Sequence, residues 1–93
     1  MSEGLELERK LLDEAFLPLH TFQRFHEEVD PGAFMWMGYA YAGPDQTPIH
    51  LYKHSLYRRY LNLSADGRCW RMEPDGEYVP YGSPVLAIAY ATS

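Results

Sequence analysis

Ninety-three residues, 46% of them apolar, make a single domain over residues 1–93, too apolar for a disordered polymer. The net charge of −5 works against nucleic acid, and the lone Cys69 excludes an internal disulfide, so a core or a partner subunit must supply the stability. The longest apolar runs, 33–37 and 85–91, fall far short of the roughly 18–20 residues that span a bilayer.

Residues 5–16 keep helical spacing, with Leu5, Leu11, Leu12, Ala15 and Phe16 set against charged neighbours. Pro18 is expected to end or kink that helix. Leu19, Phe22, Phe25 and Val29 then step by three and four, which predicts a second helical segment closed by Asp30-Pro31-Gly32. Glu27, Glu28 and Asp30 stand against it, because a helix C-terminus disfavours anions.

Residues 33–41 read as the first strand, aromatic on both faces and so expected to be central or covered on both sides. Two prolines and a glycine make 42–48 a loop. Residues 49–54 form the second strand, with His50, Tyr52 and His54 on one face and Ile49, Leu51 and Lys53 on the other. A meander follows. Asp66-Gly67 separates a strand over 57–63 from one over 68–72, and Asp75-Gly76 separates that from a strand over 77–81. Glycine accepts the positive φ that a tight hairpin demands, and aspartate tolerates it. Ser83-Pro84 is a good helix N-cap, yet residues 85–91 alternate well enough to be a last strand instead. The expected fold is α+β: one or two N-terminal helices on a curved antiparallel sheet of four to six strands, with a possible short C-terminal helix. Leu12, Phe16, Leu19, Phe22, Phe25, Phe34, Trp36, Leu51, Leu61, Leu63 and Val79 are the expected core.

Charge is unevenly spread. Residues 1–32 hold eight acids against three cations, whereas 49–72 hold five cations against one acid, a net +4. A basic strand region suits an anionic ligand, or it pairs with acidic residues of the same or a neighbouring subunit. His50 and His54 share a face but lie about 13 Å apart at roughly 3.3 Å per residue, too far for one metal without a bulge. They read as partly exposed side chains whose loss changes stability little. Cys69 reads as a small buried hydrophobe rather than a nucleophile. Strand parity splits the arginines between faces, which disfavours nucleic acid. No phosphate loop, Cys-x-x-Cys pair, His-Glu-x-x-His or serine elbow is present, so no catalytic residue, metal or other cofactor is assigned.

The candidate ligand-binding residues are His50, Tyr52, His54, Arg58, Tyr60 and Trp70, an aromatic and cationic set suited to a flat or anionic molecule. Tyrosine, methionine and tryptophan exceed the needs of so small a core, which points to a homodimer. The expectation is a dimeric, cytoplasmic binding or interaction module, taking a small anionic ligand or a protein. A small enzyme or anionic-metabolite binder built on His50, Tyr52, His54 and the arginines is the alternative, and a nucleic-acid or nucleoprotein partner the third.

Overall fold

The computed structural model describes residues 14–93. Residues 14–23 are helical (α1), and a short 3-10 turn at Pro31–Ala33 leads into the sheet. The sheet comprises β1 (Phe34–Ala42), β2 (Thr47–His54), β3 (Tyr60–Ser64), β4 (Cys69–Met72) and β5 (Tyr78–Pro80), before α2 (Pro84–Ala91). All five strands are antiparallel in sequence order, and β1 approaches β5 without hydrogen-bonding to it, so the sheet is curled but open. Most of the helix expected over 5–16 lies outside the described residues.

The N-terminal expectations need three corrections. The described helix does not end at Pro18, and it stops at residue 23 rather than continuing to Val29. Tight turns take over, with Phe25 N–H donating to the Phe22 carbonyl and Val29 N–H to the His26 carbonyl, each at 3.1 Å. Phe25 is therefore thrown outward, 79% exposed, rather than joining the core beside Phe22. The break keeps Glu27, Glu28 and Asp30 off a helix C-terminus, where their charge would be unfavourable. Asp30 instead accepts from the Gly32 amide at 3.0 Å and caps the 3-10 turn.

Strand β1 is an edge strand, not a central one. Its register slips between Trp36 and Tyr39, where Gly38 takes φ +113. Only glycine adopts such a conformation without strain, and the bulge twists the exposed edge. Trp36 and Tyr39 consequently pair with Tyr52 and His50 on one face, while Ala40 pairs with Ile49 on the other. The strict alternation expected along 33–41 places Ala40 with Trp36, and the bulge reverses that.

Both Asp-Gly hairpins form. Gly67 and Gly76 sit at φ +87 and +89, and each N–H closes a turn on the carbonyl three residues earlier, Ser64 and Glu73. The Asp66 and Asp75 carboxylates accept from the amides of Arg68 and Glu77. Strand β3 begins later than expected, at Tyr60, because residues 55–57 turn and Arg58 takes the left-handed φ of +64. The Ser83 hydroxyl caps α2 by accepting from Leu86 N–H, resolving residues 85–91 as helix.

The faces of the sheet carry two apolar clusters. Toward the helices, Leu19, Phe22, Val29, Phe34, Tyr52, Leu61, Leu63, Ala87, Ile88 and Ala91 form the main core. On the concave face, Trp70 packs against Ile49 and Ala42. Val79 is only half-buried, and Leu51 borders the concave cluster. Tyr52, fully buried, joins sheet to helix: its hydroxyl donates to the Ala15 carbonyl at 2.7 Å. Burial raises the Tyr52 phenol far above its usual range.

Candidate functional site

Strands β3 and β4 pair over only two residue pairs, Asn62 with Trp70 and Leu63 with Cys69. Beyond Asn62 the seam opens. Tyr60 and Leu61 remain paired to β2, Arg71 and Met72 to β5, and none is paired across the gap. The result is a cleft of ≈ 500 Å³. From the concave side it is lined by Leu51, Tyr60, Asn62, Trp70, Met72 and Tyr78, and on its remaining side by Arg71, Tyr81 and Tyr90.

Asn62 stands at the point where the ladder ends. Its Nδ2 donates to the Trp70 carbonyl at 3.2 Å, while its Oδ1 is buried with no hydrogen-bond partner among the described residues. The residue is 4% exposed. An unmet acceptor in such a place is a standing cost of about 1–3 kcal/mol, which few native side chains carry. Trp70 is fixed by a polar chain: its indole N–H donates to Ser64 Oγ at 3.1 Å, and the Ser64 hydroxyl donates to Asp66. That hydroxyl chiefly, helped by Arg68, holds the Asp66 carboxyl below its ordinary range. Arg68 pairs with Asp66 at 2.7 Å and lies over the Trp70 ring at 4.9 Å.

The six residues singled out by sequence fall into three places. Tyr60 and Trp70 line the cleft. Arg58 is exposed in the β2–β3 loop. His50, Tyr52 and His54 share the opposite, helix-side face, and Tyr52 and His54 are buried there. His54 is thus not the partly exposed side chain expected: its Nδ1 accepts from the amides of Leu56 and Tyr57, both at 3.1 Å, and its ring meets Phe34 edge-on. It organises the β2–β3 loop. His50 Nδ1 accepts from the Trp36 indole at 3.1 Å, and burial lowers its imidazole pKa. Among the described residues no three His, Cys, Asp or Glu side chains converge as a metal site would require. Burial pushes the Cys69 thiol up to about 11, the direction opposite to activation.

The arginines form no basic strip. Arg59 donates to the Tyr90 and Ser93 carbonyls at 3.3 and 2.6 Å, and Arg71 pairs with Glu73 at 3.4 Å. Asn62, Arg71, Tyr78, Tyr81 and Tyr90 line the cleft without belonging to the set the sequence offers as ligand-binding. Arg71 belonged to the same aromatic and cationic composition as Tyr60 and Trp70, but nothing in sequence brought the three tyrosines beside it. No described helix is long and apolar enough to cross a membrane. Comparison with protein-family models, curated proteins and solved structures finds no match to this chain.

Proposed function

We propose that this protein is a non-catalytic binding module whose β3–β4 cleft takes a flat small molecule. The observation that carries the reading is Asn62, a residue lining an aromatic cleft whose Oδ1 is buried without a partner among the described residues. The lining offers rings, hydroxyls, one amide and one guanidinium, but no His, Cys, Asp or Glu to move a proton near neutral pH. That composition favours holding a molecule over transforming it. Native mass spectrometry of untagged protein, followed by a fragment screen on the stripped protein, tests the reading. A small-molecule adduct or flat fragment hits, lost in Tyr90→Ala, are expected. A blank result from both overturns it.

Self-association accompanies this reading. Helix α2 is apolar on its outer side as well, with Val85 66% and Leu86 61% exposed, unlike an ordinary surface helix. A dimer by light scattering that Leu86→Glu converts to monomer is expected, and a wild-type monomer at micromolar concentration rejects it.

A further inference from the structure

We infer that the cleft ligand is a planar ring system with an N–H or O–H donor at one end and a negative charge at the other. The inference rests on the cleft being a binding site and adds the chemical class of its occupant. Asn62 sets the first requirement. Nδ2 spends one hydrogen on the Trp70 carbonyl, and Oδ1 is the atom left without a partner among the described residues, so the group that completes it must donate. A ligand presenting a carbonyl or carboxylate there leaves Oδ1 unmet.

The walls set the second requirement. Tyr60, Tyr78, Tyr81 and Tyr90 offer ring faces around a volume of ≈ 500 Å³, the size range of metabolite sites.

Charge sets the third. Arg71 lines the cleft, and three more cations stand over rings of lining residues: Lys53 Nζ 5.8 Å from the Tyr60 centroid, Arg59 5.1 Å from Tyr90 and Arg68 4.9 Å from Trp70. Of the five cations in the basic segment 49–72, Arg71 lines the cleft and three others stand over its lining rings, Arg59 and Arg68 with their guanidiniums held by the Tyr90 and Ser93 carbonyls and by Asp66. The Arg71–Glu73 pair is half-exposed, 56% and 36%, so it contributes little and can yield to a ligand anion. Among the described residues Lys53 has no carboxylate partner.

Isothermal titration with three probes sharing one ring tests the assignment: indole-3-acetate, 1-methylindole-3-acetate and tryptamine. Indole-3-acetate should bind, and methylation of its nitrogen or replacement of its anion by a cation should each weaken binding by about tenfold or more, as expected for one buried or charge-assisted hydrogen bond. In Asn62→Leu the two acetates should bind alike, and Arg71→Gln should weaken both. If the methylated probe binds wild type as well as its parent, or tryptamine binds at least as well as the acetate, the assignment falls while the site stands. If no probe binds at millimolar concentration, the assignment and the reading of the cleft fall together.

Discussion

Replacing Asn62 with leucine should make the protein more stable. Asparagine at this position leaves Oδ1 buried and unmet, at a cost of about 1–3 kcal/mol, and recovers about 1 kcal/mol through the Nδ2 bond to the Trp70 carbonyl. Leucine keeps the branched outline with bulkier methyls beside an open cleft, removes both terms, and adds apolar contact beside Leu51 and Trp70. The balance favours leucine by about 1 kcal/mol, which for a domain this small raises Tm by roughly 4–8 °C. Asn62→Asp should go the other way, because a carboxylate cannot donate to the Trp70 carbonyl and meets an unfavourable buried environment. Urea and thermal unfolding followed by circular dichroism read both variants. A leucine variant destabilised by 1 kcal/mol or more would mean that Asn62 is fully satisfied and structural, and the idea of a polar group kept for a ligand at the expense of stability would fail.

Four other outcomes are expected. Tyr52→Phe removes the hydroxyl that holds Ala15 and should destabilise by about 1–3 kcal/mol, whereas Tyr39→Phe, at an exposed position whose hydroxyl has no bond among the described residues, should change Tm by less than about 1 °C. His54→Ala leaves the Leu56 and Tyr57 amides without their acceptor and should lower stability by a similar amount, measured by urea unfolding. His50 has a folded pKa below 6.5, so the unfolded chain binds more protons in the window under 6.5: stability should fall as pH drops through it, and less steeply in His50→Gln. Cys69, with its thiol pushed up to about 11, should resist iodoacetamide at pH 8 in native protein and react promptly only in urea.

The legible parts of the fold are those where a residue type answers a backbone demand. Gly67 and Gly76 mark their hairpins because each occupies a positive φ, and Ser83-Pro84 marks α2 through its cap. The β2–β3 loop carries no such mark, since the left-handed position is taken by Arg58, and the sequence pattern starts the strand three residues before Tyr60. Gly38 fits the alternation of its strand by position, yet a glycine inside a strand is the signal of a bulge, and the register shifts there. Of the end or kink expected at Pro18 the end does not occur, and the run Leu19, Phe22, Phe25, Val29 keeps helical spacing beyond the point where the helix stops. The helix does not stop at the proline, with Tyr52 from a distant strand meeting the Ala15 carbonyl, and the later periodicity dissolves into turns.

The site was less legible for a related reason. In Leu61-Asn62-Leu63, alternation sends the asparagine to the face opposite the core, where solvent is the natural expectation. Only the curl of the sheet and the indole of Trp70 bury that face as well. The opening of the β3–β4 seam is likewise a property of pairing across the sheet, and it brings Tyr81 and Tyr90 from beyond the last strand to a cleft that begins at Tyr60.

The two tryptophans lie on different faces, Trp36 bonded to His50 and Trp70 at the cleft, so their indole N–H signals form an internal comparison. The most direct measurement is a ¹⁵N–¹H correlation spectrum of the protein titrated with flat fragments. The account predicts that the Trp70 indole and the Asn62 side-chain amide shift while the Trp36 indole stays in place. Movement of Trp36 with Trp70 and Asn62 unchanged would contradict it and put the ligand on the face that carries His50.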